Sequence, residues 1–292
     1  MNRIAKIIIV LSFMISQVAF AAQTIEITPV KFNEVDAGMP YNVEKIPVTD
    51  DQSLAGVRIA IVAAHGFEEI EATYPIDFFL SRGAEVDIIA PDWIKDRVMA
   101  VKFLKLSVWL PVTKNISEAV VTDYNAVVIP GGAWNPIIMR TDKQIIEFIQ
   151  AAQKSNSLIA AVCHGPQVLI SAGLVKGRMM TGVGDIRTDL ANAGAEVIHD
   201  QPVVLDGNIL TSRDPNDLAE FSKGIEEYLK QKLSFNQLHE ATGNARSGSV
   251  VCPVCNGTGR LHGGPGMYPY TCYECKGTGH VHSNQPPVST DH

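Results

Sequence analysis

The five cysteines fall into two groups with different surroundings, and each group could do a different chemistry. Cys163 stands alone, after a run of small apolar residues and before His164-Gly165-Pro166. A thiol at such a corner can attack an electron-poor carbonyl carbon if a neighbouring group accepts its proton. The other four form two Cys-x-x-Cys pairs, a spacing that suits metal binding. These are Cys252, Cys255, Cys272 and Cys275.

The residues around Cys163 predict a strand, a sharp turn and a helix, the geometry of a nucleophile elbow. The run 157–162 (SLIAAV) is typical of a buried strand, and Pro166 suits the first turn of a helix. The positive end of that helix would lower the pKa of the thiol and favour the thiolate. The alternative is a small cysteine buried in the core, the commonest fate of an unbridged thiol.

The elements that must hold this corner alternate between strands and helices, which predicts an α/β domain with a mostly parallel sheet covered on both faces. Short apolar runs predict strands at 57–64, 85–90, 126–132 and 157–162. Amphipathic spacing predicts helices at 71–81, 142–154 and 214–232, and a hairpin is predicted at 203–212 with its turn at Asp206-Gly207-Asn208.

Four segments of the predicted domain carry a family resemblance: AAHGFEEIEATYP (63–75), VVIPGG (127–132), LIAAVCHGPQVLISAGLVKGR (158–178) and LTSRDPNDL (210–218). In this order they resemble the PfpI/DJ-1 type family of the class I glutamine amidotransferase-like superfamily, over about 57–232. The resemblance implies a flavodoxin-like three-layer sandwich and a homodimer or higher oligomer. It also implies peptidase, glyoxalase or deglycase activity, with no organic cofactor.

The resemblance also implies which residues form the site. Cys163 matches the nucleophile, and Glu71 matches a carboxyl group that hydrogen-bonds the thiol and must have a raised pKa. The backbone N–H groups of Gly132 and His164 match an oxyanion hole. In the alternative interpretation, Glu68, Glu69 and Glu71 are a solvated helix start, where acidic residues are favourable in any case.

Two departures from the family pattern restrict what can be transferred. Peptidase members carry an acid after the proline of the Gly-Gly loop, where this chain has Ile137. Without that acid a Cys-His-acid triad lacks support, which weakens the peptidase interpretation. His164 matches the family histidine, but adjacent residues on a sharp turn usually point apart, so it is either a base or a substrate-facing or structural residue. Val183 replaces an aromatic residue or histidine, so substrate identity does not transfer.

The cysteine-rich segment is a repeat, because CPVCNGTGR (252–260) recurs as CYECKGTGH (272–280). Four thiolates can surround one tetrahedral zinc ion, and the glycines can adopt positive φ and direct N–H groups at sulfur. The segment resembles half of the cysteine-rich zinc domain of DnaJ-type chaperones, so we expect a small zinc-ribbon-like module with structural zinc. The alternative is two disulfides in an oxidising compartment.

The ends of the chain differ in character from the predicted domain. Residues 1–21 combine a basic start, an apolar run and a small-x-small site, which predicts a cleaved signal peptide and a periplasmic or secreted protein without a stable membrane anchor afterwards. An uncleaved anchor is the alternative. The remaining predicted boundaries are an extension lying over the main domain (22–56), a linker (233–249), the cysteine-rich module (250–282) and a disordered tail (283–292).

Composition narrows the function classes. Hydrophobic residues make up 46% of the 292 residues, enough to bury a core, and the net charge of −7 argues against a nucleic-acid partner. The sequence favours an exported cysteine-dependent enzyme acting on a small carbonyl compound, a modified protein or peptide, or an amide. The alternative is a non-catalytic thiol redox sensor or holdase chaperone whose zinc module binds clients, and an inactive scaffold is the third hypothesis.

Overall fold

The computed structural model describes residues 28–29, 41–46, 52–242, 249–252, 259–261, 270–271, 275 and 278–282. Among these residues, no helix combines the length and the apolar character that crossing a membrane requires. The strands are β1 (Thr28–Pro29), β2 (Arg58–Val62), β3 (Phe67–Glu68), β4 (Glu85–Ala90), β5 (Arg97–Lys102), β6 (Lys105–Pro111), β7 (Lys114–Asn115), β8 (Ala126–Ile129), β9 (Leu158–Val162), β10 (Met179–Met180), β11 (Glu196–Val197), β12 (Val203–Asp206), β13 (Ile209–Ser212), β14 (Ser249–Val251), β15 (Arg260–Leu261), β16 (Tyr270–Thr271) and β17 (His280–His282). The helices are α1 (Glu69–Leu80), α2 (Asn135–Met139), α3 (Lys143–Lys154), α4 (Pro166–Ser171), α5 (Arg187–Asn192) and α6 (Leu218–Thr242).

Seven strands form the central sheet, in the order β12-β13-β9-β8-β2-β4-β7. Every neighbouring pair is parallel except the hairpin β12-β13, whose turn contains Gly207 at φ 62°. Every residue of β8 and β9 is buried, as expected for apolar parallel strands covered on both faces. The predicted mostly parallel sheet and the predicted hairpin are therefore confirmed.

The strand order places the helices in two layers. The connection from β2 through α1 to β4 runs toward one edge of the sheet, and the connection from β8 through α3 to β9 runs toward the other. Because parallel crossovers are right-handed, α1 and α3 cover opposite faces, and α6 packs beside α1. The result is a flavodoxin-like three-layer sandwich with its switch point between β2 and β8, where the carboxyl ends of the strands leave a crevice.

Local signals explain where the helices begin, and one helix ends later than predicted. Asp142 caps α3 by accepting hydrogen bonds from the N–H groups of Gln144 and Ile145. Helix α6 continues through Thr242, ten residues past the predicted end at Lys232, so the first part of the predicted linker 233–249 is helical.

The antiparallel hairpin β5-β6 was not predicted, because its residues mix charged and apolar types without clear alternation.

The described parts of the N-terminal extension contact the domain. Strand β1 pairs with β6, with Thr28 opposite Trp109. Farther along, the Asn42 N–H donates to Asn216 Oδ1 at 3.0 Å. The predicted signal peptide at 1–21 and the predicted tail at 283–292 lie outside the described residues.

Candidate active site

Cys163 occupies the turn between β9 and α4 in a strained backbone conformation. Its φ is 59°, in the left-handed region that costs a residue with a Cβ free energy. The Cys163 N–H donates to Ser212 O at 3.1 Å, which fixes the corner to β13. Gly165 permits the turn, since a Cβ there would lie 2.5 Å from Ile129 O. The backbone therefore has the elbow geometry that the sequence predicts.

Glu71, in the first turn of α1, is fully buried against this corner. The Gly131 N–H donates to its Oε2 at 2.6 Å, and the carboxyl group hydrogen-bonds the Cys163 thiol. Burial raises the pKa of Glu71 well above its usual value, and the nearby Glu68 raises it further. The interpretation of Glu71 as part of a solvated helix start is therefore wrong.

The N-terminus of helix α4 does not lower the pKa of the Cys163 thiol in the way that the sequence predicts. Helix α4 is only six residues long, and Cys163 is 8% exposed. Burial raises the pKa of Cys163 well above its usual value, and the charge and hydrogen bond of Glu71 raise it further. The backbone N–H of His164, which hydrogen-bonds the sulfur, opposes this rise in the pKa. Cys163 and Glu71 therefore form a buried acid pair that resists carrying two negative charges.

The His164 side chain contacts Cys163, although adjacent residues on a turn were expected to point apart. Its Nδ1 lies 3.3 Å from Cys163 Sγ, and its Nε2 lies 2.9 Å from Asp185 Oδ2. Because a carboxylate only accepts hydrogen bonds, it favours the tautomer with the proton on Nε2, which leaves Nδ1 to accept a proton from sulfur. Asp185 therefore contacts His164, whereas Ile137 occupies the position at which the sequence lacks an acid.

Two glycines after β8 let the backbone approach the reacting groups. A Cβ on Gly131 would lie 2.6 Å from His164 N and 2.9 Å from both Cys163 Cβ and Glu71 Oε2. Gly132 has φ 89°, and a Cβ there would lie 2.4 Å from Glu68 N. Since the Gly131 N–H is engaged by Glu71, the Gly132 N–H, which donates to no acceptor in the described parts of the chain, is the available donor of this loop.

Glu68 is a second buried carboxyl group beside the pair, which the sequence placed among solvated acids. It is 4% exposed, and its Oε2 accepts from the Phe103 N–H at 2.9 Å. Its Oε1 accepts no hydrogen bond from the described residues. Burial raises its pKa to about 7, although the Phe103 N–H opposes this change. Glu68 can therefore change its charge near neutral pH.

The buried side chain of Asn135 holds the glycine loop against the end of β2. Its Oδ1 accepts from the Ala64 N–H at 2.7 Å, and its Nδ2 donates to Pro130 O at 2.7 Å and Gly131 O at 3.2 Å. This role of Asn135 was not predicted from the sequence, because an asparagine after a glycine loop looks like an ordinary turn residue.

The second cysteine group is only partly described. Cys252 and Cys275 are both buried, and the Cys252 N–H donates to Gly279 O at 2.8 Å. The Gly279 N–H donates to Cys275 Sγ at 3.2 Å, with Gly279 at φ 77°. Cys255 and Cys272 lie outside the described residues. The residues that the structure describes contain no cluster of three metal-binding side chains, so zinc stays a prediction.

Two relatives align with most of their own length but with little more than half of this chain. General stress protein 18 of Bacillus subtilis is 34% identical over 58% of this chain and 95% of its own. Protein/nucleic acid deglycase 2 of Escherichia coli is 37% identical over 57% of this chain and 94% of its own.

A solved two-domain protein from Anabaena variabilis, with DJ-1/ThiJ/PfpI-like and ferritin-like domains, has the same fold in the aligned region. It is 36% identical with a TM-score of 0.55, and the match covers 59% of this chain and 48% of that one. The DJ-1/PfpI family model matches residues 57–228, which include Cys163, Glu71 and the glycine loop. The chain therefore belongs to the DJ-1/PfpI family.

Proposed function

We propose that this chain is a cysteine-dependent enzyme that adds its thiol to the carbonyl carbon of a small aldehyde, a 2-oxoaldehyde or an adduct of one. The observation that carries this proposal is the position of one sulfur between two proton-handling groups. Cys163 Sγ hydrogen-bonds the buried Glu71 and lies 3.3 Å from the imidazole of His164. A structural cysteine needs neither contact.

The geometry supports a sequence of proton transfers. His164 Nδ1 takes the thiol proton while Asp185 holds the ring, and the sulfur attacks the carbonyl carbon. A carbon–sulfur bond forms, and the electron pair of the C=O bond moves to oxygen. Glu71, kept protonated by its raised pKa, donates the proton to that oxygen, and the Gly132 N–H stabilises the developing charge.

For a 2-oxoaldehyde, the adduct can rearrange without an external oxidant. Glu71, now a carboxylate, removes the proton from the former aldehyde carbon, and a proton returns to the neighbouring carbon through an enediol. The product is a thioester of Cys163, which water hydrolyses to a 2-hydroxy acid. The name of the deglycase from Escherichia coli supports substrates of this carbonyl class.

The proposal is tested with the full chain and the Cys163→Ala variant. Each protein is incubated with methylglyoxal and, separately, with peptide amides, and the acid products are measured. We expect acid from methylglyoxal with the native chain and a loss of about 10³-fold or more in the variant, at an unchanged melting temperature. Equal rates for the two proteins would refute the proposal.

Amide hydrolysis is the second candidate, and Asp185 is the observation that favours it. Ile137 in place of an acid weakens the peptidase interpretation, but the His164–Asp185 contact supports a Cys-His-acid arrangement within one chain. Release of amine from the peptide amides, with no acid from methylglyoxal, would assign this reaction instead. A non-catalytic redox sensor is less favoured, because it needs neither the contact of Cys163 with His164 nor the contact of His164 with Asp185.

We propose zinc for the cysteine-rich module. The buried Cys252 and Cys275 and the N–H···S hydrogen bond from Gly279 suit thiolate ligation, and Cys255 and Cys272 complete the donor set by sequence. Four thiolates leave zinc no open position, so its role would be structural. Metal analysis should give about one zinc per chain. Two disulfides and no metal, found by mass spectrometry of the native protein, would contradict this.

We further propose export and self-association. The sequence of residues 1–21 supports a cleaved signal peptide, and N-terminal sequencing of protein recovered outside the cytosol should begin near residue 22. The exposed side chains of Trp134 and Ile137 support a homodimer or higher oligomer. Light scattering that gives the mass of one chain would contradict self-association.

A further inference from the structure

The segment 41–46 lies outside the region that matches the family model, yet it is attached beside the candidate active site. The Asn42 N–H donates to Asn216 Oδ1 at 3.0 Å. Lys223 Nζ lies 3.7 Å from Glu44 Oε2, an exposed ion pair that adds little by itself. Val43 packs against the hydrophobic core. The segment is therefore held by a backbone hydrogen bond and by an apolar contact.

The attachment point locates the segment at the carboxyl edge of the central sheet. Asn216 lies in the helical turn after β13, and β13 runs parallel to β9. The strands end together, since the Cys163 N–H donates to Ser212 O. Asn42 is therefore anchored at the same edge of the sheet as the Cys163 corner.

Tyr41 begins this segment, directly before the anchored Asn42, and its side chain is half-buried. Burial raises the pKa of Tyr41, and the negative charges of Glu68, Glu71, Cys163 and Asp214 raise it further. The phenol therefore stays protonated at any physiological pH. It can therefore donate a hydrogen bond where the other side chains carry or exchange negative charge.

We propose that Tyr41 is a specificity-determining residue of the Cys163 site, and that segment 41–46 is a wall that restricts access to the thiol. The aromatic ring limits the size of the substrate, and the hydroxyl group donates to the second oxygen of a small dicarbonyl compound. The choice of substrate rests on the function proposed above, whereas the wall does not. The segment comes from outside the family domain, so this selectivity is a property added by the extension.

The wall is tested without any turnover by alkylation of Cys163. The full chain and its variants react with iodoacetamide, which is small, and with fluorescein maleimide, which is bulky, and the Cys163 peptide is quantified by mass spectrometry. For Tyr41→Ala we expect an increase of about tenfold with the bulky reagent and less than about threefold with the small one. Tyr41→Phe keeps the ring and should react like the native chain.

Two further variants separate the wall from general effects. Lys45→Ala changes an exposed residue of the same segment and should alter neither rate. Asn216→Ala removes the acceptor for the Asn42 N–H, so it should also speed the bulky reagent. A rate for the bulky reagent that is unchanged in both Tyr41→Ala and Asn216→Ala would overturn the wall.

The hydroxyl group is tested by turnover of methylglyoxal and phenylglyoxal. Tyr41→Phe should lower kcat/KM for methylglyoxal about tenfold, the effect of one lost hydrogen bond to substrate. Tyr41→Ala should reduce the preference for methylglyoxal over phenylglyoxal. Equal kcat/KM in Tyr41→Phe and the native chain would overturn the hydroxyl role. If the native chain turned over neither compound, the proposed function would fail together with the hydroxyl role, and the alkylation rates would still decide the wall.

Discussion

Nε2 of His164 lies 2.9 Å from Oδ2 of Asp185, a residue in the helical turn before α5. This contact fixes the tautomer of the His164 imidazole, since the nitrogen that faces the carboxylate must carry the proton. The opposite nitrogen is then a proton acceptor beside the sulfur. An acid 21 positions along the chain thus determines which nitrogen of His164 can accept a proton beside Cys163.

Replacing this acid by its amide should impair catalysis and leave the fold intact. In Asp185→Asn the amide N–H₂ can face Nε2 and favour the wrong tautomer, so we expect kcat to fall about 10- to 100-fold. The Asp185 side chain is 67% exposed, which argues for a smaller loss than at a fully buried acid. Steady-state kinetics and thermal melting measure the two effects. Asp189→Asn, an exposed acid nearby, is the control, and an equal loss in both variants would contradict the assigned role.

The glycine loop should not tolerate one added methyl group. In Gly131→Ala the new Cβ would lie 2.6 Å from His164 N, so the loop must move away from Cys163 and Glu71. We expect a loss of activity of about 100-fold, together with a lower melting temperature. Gly184→Ala is the matched control, because a Cβ there meets nothing within 4 Å. Native activity in Gly131→Ala would mean that the loop does not approach the site as closely as described.

Glu68 should make stability depend on pH near neutrality. Its pKa is raised from 4.5 to about 7 in the folded protein, so the folded state binds more protons than the unfolded state between those values. The free energy of unfolding therefore falls as pH rises through this range, and the full penalty is present above pH 7. Glu68→Gln should remove about 2 to 3 kcal/mol of this fall, as judged by urea unfolding at pH 4.5 and 8.

The comparison between native protein and variant reports the titration of Glu68 together with the effect of its charge on the pKa of Glu71. Glu147→Gln, at an exposed position on α3, should leave the pH dependence unchanged. Parallel stability curves for the native chain and Glu68→Gln would show that Glu68 is not the titrating group.

Asn135 should contribute to stability and to the geometry of the site together. Asn135→Ala leaves the buried Ala64 N–H and two carbonyl groups without a partner, so we expect a loss of about 2 to 3 kcal/mol. Asn135→Asp keeps the acceptor for Ala64 but removes the donor, and should lower activity as well. Urea unfolding checks the first effect, with the exposed Asn192→Ala as control. A change in the free energy of unfolding below about 0.5 kcal/mol is typical of exposed positions and would refute the structural role of Asn135.

Most of the central fold is visible in the sequence because buried parallel strands are continuous apolar runs. Strand β4 has the predicted bounds, and β9 begins one residue late. The hairpin β5-β6 was missed, since six of the seven residues of β6 are only half-buried and show no clean alternation. The end of α6 was misplaced because its last turns were interpreted as linker by composition alone.

The site was less predictable than the fold, because sequence spacing does not reveal burial or contacts between distant segments. The resemblance identified Cys163 and Glu71, which the structure brings together, but the pKa of the thiol depends on desolvation and moves in the opposite direction from the helix-based expectation. Asp185 was visible in the segment MMTGVGD, but only the fold brings it to His164. Tyr41 lay in a region without periodicity, so no local pattern pointed to it.

The left-handed backbone of Cys163 implies that the stability of the fold and the reactivity of the thiol place opposite demands on this position. A glycine would relax the corner, so Cys163→Gly should unfold at a higher temperature than Cys163→Ala, and both would be inert. Selection for stability alone would favour glycine, and not a residue with a Cβ, at this left-handed position. The presence of Cys163 at this strained position is expected if its side chain reacts, and is not expected if it only packs.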